Sequence, residues 1–314
     1  MSIEIDNKRY PILRAIQMEV VNQCNFRCPL CPSLLKDWVP RTRMAFDDMQ
    51  RIIEPVAEDL QGIDLFGMRG EPFINPELED MVGWLRKATT AKLVISTNGS
   101  LLTPDRGQRI LDAGLDQIVF AVDGMSQESF SSYRIGGDLD TVTKNIQSFC
   151  QLKQAGKYKT RIIFQFIPMT SNAHEISRIP QFAYELGVDI VKAKFSTSIS
   201  RSEHFQLNSD NHELHRQDAL AFECPFGAHK AYIDPNGYVY SCCYAEGIEA
   251  LLVGNALSGL PEVWQSQDMR SFKEPFVRKK GYHDFCEKTC RGALRKKKYL
   301  IRRADIHDGE WQKP

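Results

Sequence analysis

From residue 14 to residue 196 the chain alternates short β-rich runs with amphipathic helical stretches, and no other feature restricts its fold as much. Apolar runs occupy 16–21, 63–66, 93–95, 118–122, 162–167 and 188–195. Between them, 47–57 sets Met49, Ile52, Ile53 and Val56 on one helical face. The stretch 142–154 does the same with Val142, Ile146, Phe149, Cys150 and Leu152. Parallel strands need long crossovers, and helices supply them with right-handed chirality. The pattern therefore predicts an α/β fold, an open partial (β/α)6 barrel over 14–200. A doubly wound sheet is the alternative that periodicity leaves open.

Beyond residue 196 the pattern changes. Residues 197–222 are polar and read as a linker leading into a short helix. Two alternating runs then flank Asp234-Pro-Asn-Gly237, a strong β-hairpin signal because Asn-Gly accepts the positive φ of a tight turn. The reading is a small cysteine-rich module over 215–300, followed by a basic tail over 301–314. The full chain has 314 residues, in line with two domains, and 42% hydrophobic with 25% charged residues excludes a disordered or fibrous protein.

A chain of this length buries a large core without covalent staples, so its nine cysteines need a chemical reason. Their number is odd, and the N-terminal MSIEIDNKRY has no apolar leader-like run, which argues for metal or redox chemistry over a disulfide framework. A cytoplasmic protein is expected. No stretch is long and apolar enough to predict a membrane span. Net charge is zero, but eleven Lys or Arg against Asp284 and Glu287 give residues 276–303 a local net of +9. That stretch reads as a solvated face, as a docking patch for an acidic electron carrier, or as an anion site. Nothing resembles an aromatic-interleaved RNA-binding module, so nucleic acid is not an expected partner.

Cys24-x3-Cys28-x2-Cys31 follows the first β-run directly, at the strand end where barrel active sites are built. Three thiolates can hold a [4Fe–4S] cluster and leave its fourth iron open; three of four zinc ligands is the alternative. Cys224, Cys242, Cys286 and Cys290 supply four further thiolates, enough to close a second cluster or a zinc site, and spacing does not decide between them. Cys242 and Cys243 are neighbours after a strand, where alternation sends side chains to opposite faces. Cys242 is therefore read as the ligand, and Cys243 as a thiol facing the barrel mouth or a small buried hydrophobe, with the swapped assignment also open. Cys150 falls on an apolar helix face and reads as core.

Four motifs at successive strand ends resemble the radical S-adenosylmethionine (radical SAM) superfamily. They are the three-cysteine loop with Phe26, then Met68-Arg-Gly70-Glu71-Pro72, then Ser96-Thr-Asn98-Gly99, then Ala121-Val-Asp123-Gly124. The resemblance implies that Cys24, Cys28 and Cys31 hold a [4Fe–4S] cluster whose open iron binds S-adenosylmethionine. It implies that Gly70 and Glu71 engage the cofactor's amino group, Ser96 and Asn98 its ribose, and Arg134 its carboxylate. Asp123 becomes a candidate substrate contact. Arg69 and Ala121 depart from the family pattern, which often has Gly and Ser there.

The C-terminal cysteines, the hairpin, Gly254-Asn255 and Trp264 resemble the SPASM/twitch extension, in its shorter version with one auxiliary [4Fe–4S] cluster. Such an enzyme cleaves S-adenosylmethionine reductively to a 5′-deoxyadenosyl radical and removes hydrogen from a substrate C–H bond. Epimerisation, with Cys243 as hydrogen-atom donor, and oxidation or cross-linking through the auxiliary cluster are the expected outcomes. A flavodoxin or ferredoxin-type donor and a peptide, sugar or cyclitol substrate are the expected partners. The alternative of another class is a zinc-structured binding protein.

Overall fold

The structure, a computed structural model, describes residues 2–5, 8–31, 40–66, 69–194, 224–245, 249–277, 286, 298–301, 306–307 and 310–311. A hairpin of β1 (Ser2–Ile5) and β2 (Lys8–Pro11) precedes the main sheet. Six strands then follow the alternation read from the sequence. They are β3 (Ala15–Met18), β4 (Gly62–Asp64), β5 (Lys92–Thr97), β6 (Gln117–Ala121), β7 (Arg161–Phe166) and β8 (Ile190–Lys194). All are parallel and lie side by side in chain order. A doubly wound sheet reverses its strand order at a switch point, so this order excludes it. The sheet does not close on itself, as expected of a partial barrel.

Each strand sorts its side chains by parity. Along β6, Ile118 and Phe120 are fully buried, and Phe120 meets Phe149 of helix Leu139–Ala155 edge-on at 6.0 Å. Val119 turns the other way and joins Val94 and Ile163, with Phe66 and Ile190 beside them, in a separate apolar patch on the inner face. Three of the helices begin at side-chain caps: Thr103, Ser126 and Asp138 accept from the backbone N–H groups of Arg106, Ser129 and Thr141. The helical face predicted over 47–57 is present but shorter. Helix Phe46–Ile53 tightens into a 3-10 turn over Glu54–Asp59, because Pro55 has no N–H to continue the α-helical ladder.

The C-terminal region adds β9 (Lys230–Ile233), β10 (Tyr238–Tyr240) and β11 (Leu252–Asn255), a meander that includes the expected hairpin. Gly237 takes φ +79°, and Asp234 Oδ1 accepts from the N–H groups of Asn236 and Tyr238, each at 2.9 Å. This meander is not a detached sheet. β9 pairs in parallel with β3, and the Glu19 N–H continues the ladder to the Ile233 carbonyl at 2.9 Å. At the other edge β12 (Lys298–Ile301) runs antiparallel to β8. β13 (Ile306–His307) and β14 (Glu310–Trp311) pair within the stretch expected as a tail. The 197–222 linker lies outside the described residues, as does most of the basic run. Among the described residues no helix is long and apolar enough to cross a membrane.

Candidate functional site

Loops at the carboxyl ends of β3, β4, β5 and β6 meet over one edge of the sheet. The segment after β3 carries Cys24, Cys28 and Cys31, with a turn in which the Cys31 N–H donates to the Cys28 carbonyl at 2.9 Å. Phe26 is buried and packs edge-on against Phe130 at 6.2 Å, which anchors the loop to the barrel. Burial pushes the Cys24 thiol up to about 12 and raises the Cys28 thiol as well, so both stay neutral unless a cation or metal takes the proton's place.

N–H groups are nevertheless aimed at these sulfurs. The Phe26 backbone N–H lies 3.4 Å from Cys24 Sγ, Asn98 Nδ2 lies 3.8 Å from the same atom, and Arg134 Nη1 lies 3.7 Å from Cys28 Sγ. Donors of this kind suit thiolates bound to an anionic cluster, since hydrogen bonds to sulfur offset its charge. Among the described residues no three His, Cys, Asp or Glu side chains already converge as a ready-made metal group. The fit rests on the donor set and on the N–H groups around it.

The neighbouring loops are fastened to the cysteine loop and to one another. Gly70 passes so close to strand-end backbone that a Cβ there would lie 1.6 Å from the Val21 carbonyl oxygen. The Glu71 N–H donates to the Gln23 carbonyl at 2.8 Å. The Glu71 side chain is buried: Oε1 accepts from Thr97 Oγ1 at 2.6 Å and from the Phe73 N–H at 3.2 Å, and Oε2 accepts from the Asn98 N–H at 2.7 Å. Burial raises its pKa, and these three donors oppose that shift. Asn98 reaches Asn25 Oδ1 at 3.0 Å and leads into Gly99 at φ +80°. Ser96 lies on the inner face of β5 and is half-buried.

Asp123 is fully buried and turned inward. Its Oδ2 accepts from Arg134 Nε at 2.7 Å and its Oδ1 from the Ile167 N–H at 2.7 Å. Burial works against the Arg134 charge, but its charged neighbours, Asp123 first among them, outweigh it and raise the guanidinium pKa. Arg134 is thus held charged beside the cysteine loop, with Asp123 behind it.

The second cysteine group also comes together. Cys242 and Cys286 are buried in one cluster with Phe226, Tyr232, Tyr240, Leu251 and Phe272, and Cys224 and Cys243 pack against it. Cys290 lies outside the described residues. The alternation argument for Cys242 and Cys243 does not reach them: β10 ends at Tyr240, and Cys243 opens a 3-10 turn. Both side chains meet the same cluster, Cys242 buried and Cys243 more exposed. Beside Cys242, Ser241 Oγ is buried with no hydrogen-bond partner among the described residues. An orphaned hydroxyl fits a site whose occupant presents acceptor atoms, as sulfur ligands do.

The residues missed by sequence reasoning are Glu19, Thr97, Asn25 and Tyr232. Glu19 alone carried a signal, as a carboxylate inside an apolar run of strand parity. The others are recognised only by what they touch.

Comparison with known proteins agrees with this geometry. Residues 18–165 match the radical SAM superfamily, and residues 224–291 match the iron-sulfur cluster-binding domain called SPASM. A probable GTP 3',8-cyclase of Methanococcus maripaludis is 20% identical over 197 residues, covering 62% of this chain and 63% of that protein. An AdoMet-dependent heme synthase of Methanosarcina barkeri is 24% identical over 328 residues, covering 89% of this chain and 90% of that one. The chain spans only about half to two-thirds of the length of the first three curated relatives it matches. Streptococcus suis SuiB, solved with S-adenosylmethionine, superposes with a TM-score of 0.69 at 13% identity, over 85% of this chain and 69% of SuiB. With both domains matched in order and the fold shared, the chain belongs to the radical SAM superfamily as a SPASM-domain enzyme, and its cofactors are S-adenosylmethionine, a [4Fe–4S] cluster that binds it, and auxiliary iron–sulfur.

Proposed function

We propose that this chain removes a hydrogen atom from a C–H bond of a small-molecule or peptide substrate, with Cys24, Cys28 and Cys31 as the cluster ligands. The observation that carries the assignment is the set of N–H groups from Phe26, Asn98 and Arg134 that point at Cys24 and Cys28 from three separate segments. When bound, the cluster and S-adenosylmethionine supply the one-electron chemistry that opens an unactivated C–H bond. The protein supplies orientation. In this reading Gly70 gives a backbone that approaches closely, and Glu71 holds both that loop and the Asn98 backbone. Ser96 and Asn98 line the ribose side, and Arg134 stands ready for a carboxylate. Asp123 acts through Arg134, whose charge and direction it sets, in place of a direct substrate contact.

Cys224, Cys242, Cys286 and Cys290 would hold one auxiliary [4Fe–4S] cluster, and Ser241 could donate to it. Cys243, the more exposed of the adjacent pair, is the thiol assigned to return a hydrogen atom to the opposite face of the substrate radical, which gives epimerisation and leaves a thiyl to be restored by one electron from the donor and one proton. Oxidation is the other outcome, with the auxiliary site accepting the second electron. SuiB, solved with its precursor peptide, supports a peptide substrate by fold alone, and the heme synthase and GTP cyclase support small molecules. A flavodoxin or ferredoxin-type donor in the reducing cytoplasm would deliver the electrons.

One anaerobic experiment tests this reading. Reconstituted protein should contain iron and sulfide and, with dithionite, release 5′-deoxyadenosine from S-adenosylmethionine, whereas Cys28→Ala should release none. Zinc without sulfide would sink it. With substrate present, Cys243→Ala should still form 5′-deoxyadenosine but no epimer; an unchanged product assigns the reaction to oxidation.

A further inference from the structure

Glu19, just beyond β3, is fully buried and fastened on both sides. Its Oε1 accepts from the backbone N–H groups of Arg69 at 2.7 Å and Gly70 at 3.1 Å. Its Oε2 accepts from the Tyr232 hydroxyl at 3.0 Å and lies 3.6 Å from Arg69 Nη2. The two oxygens therefore face two different parts of the protein. One holds the Arg69–Gly70 backbone of the S-adenosylmethionine loop. The other is held by a residue of β9.

Tyr232 belongs to the second cysteine group. It is fully buried, packs in one cluster with Cys242, Cys286, Cys224 and Cys243, and its ring lies 6.3 Å from that of Tyr240. The loop it reaches through Glu19 has little freedom. Gly70 abuts the Val21 carbonyl with no room for a Cβ, and Glu71 is tied to Gln23. A buried ion pair contributes little net stability, yet removing one partner is costly because the remaining charge is stranded. A shift of Tyr232 therefore has to be answered by Glu19, and a shift of Glu19 by the backbone at 69 and 70.

We propose that Tyr232 and Glu19 couple the two cysteine sites: a filled auxiliary site seats Tyr232, which fixes Glu19 and so sets the Arg69–Gly70 backbone in its S-adenosylmethionine-binding geometry. This rests on the assignment of residues 69–71 to the cofactor site. Glu19 and Tyr232 are positioning residues here, because neither touches cofactor or substrate. By thermodynamic reciprocity, bound S-adenosylmethionine also favours an occupied auxiliary site.

The test measures S-adenosylmethionine affinity of the reconstituted holoenzyme, read from the change it produces in the EPR spectrum of the reduced N-terminal cluster. Four proteins are compared: wild type, Cys224→Ala, Tyr232→Phe and the double variant. Cys224→Ala should weaken binding about 5–20-fold in the wild-type background, within the usual range of coupling, and leave affinity unchanged in the Tyr232→Phe background. Tyr232→Phe keeps the ring and removes only the hydroxyl, so it should fold. Glu19→Gln keeps an acceptor for the Arg69 and Gly70 N–H groups but loses the charge, and should abolish the dependence likewise. Cys286→Ala repeats the comparison should Cys224→Ala prove insoluble. An equal fold-change in both backgrounds, or none in either, overturns the coupling. Wild type with no EPR response to S-adenosylmethionine overturns the cofactor-site assignment instead, a separate result.

Discussion

At the scale of single residues, side chains that carry no chemistry hold the ones that do. Asp123 orients Arg134, Glu71 orients Asn98, and Asn25 holds the Asn98 amide whose N–H faces Cys24. Motif reading placed Asp123 and Glu71 at the site, but their roles depend on direction, and direction is not written in spacing. Asp234 shows the same with a measurable consequence. Burial lifts its carboxyl to about 6, with Glu19 also raising it and Arg69 lowering it. A carboxyl whose folded pKa lies above its unfolded value favours the folded state while protonated and costs stability as pH rises through about 6. Asp234→Asn keeps one oxygen to accept the Asn236 and Tyr238 N–H groups. It should melt a few degrees higher than wild type near neutral pH, with the gap narrowing as pH falls below about 6 and closing near the ordinary aspartate value of 3.8, in paired thermal scans.

At the scale of elements, the strands were legible because six separate runs each repeat a period of two or bury both faces. The helix over 47–57 was legible in its face but not in its end, since Pro55 acts on hydrogen bonding and leaves apolar spacing intact. Helix Gln267–Val277 holds a feature that periodicity hides. Lys273 is buried, has no hydrogen-bond partner for its amine among the described residues, and sits with Nζ 2.7 Å from the Trp264 ring centre. Desolvation lowers its pKa to about 6, so between that value and the ordinary lysine range the folded state binds fewer protons than the unfolded one. Stability then rises with pH across this window. Lys273→Met is volume-conserving and should raise the melting temperature by several degrees near neutral pH, and flatten the rise seen in wild type toward pH 9. A lower melting temperature would show that the amine is held on Trp264 as a charge.

At the scale of the whole molecule, the cysteine-rich region is a continuation of the barrel sheet. β9 covers the open edge of β3, His229 accepts from the N–H groups of Arg14 and Ala15, and Trp264 Nε1 donates to the Pro11 carbonyl. A chain ending at residue 223 would expose the β3 edge beside the cysteine loop, and unpaired edges invite aggregation. Such a truncation should elute as soluble aggregates in gel filtration and lose S-adenosylmethionine binding. A monodisperse, cofactor-binding fragment would show the two regions to be energetically independent.

The sequence by itself determined the strand–helix alternation, the three-cysteine loop at the end of β3 and the tight turn at Asp234–Gly237, because each is a property of a few consecutive residues. Tertiary structure alone decided that β9 joins β3, that Cys242 and Cys243 meet the same apolar cluster, and that Glu19 bonds both Tyr232 and the Arg69–Gly70 backbone. Such placements rest on contacts between distant residues, 213 positions apart at Tyr232 and Glu19, just as the donors at the cysteine loop span 74 positions from Asn98 to Cys24 and 106 from Arg134 to Cys28. Side-chain type and spacing are local, whereas the partner of a buried polar group is set by which distant segments share its space once the sheet has formed.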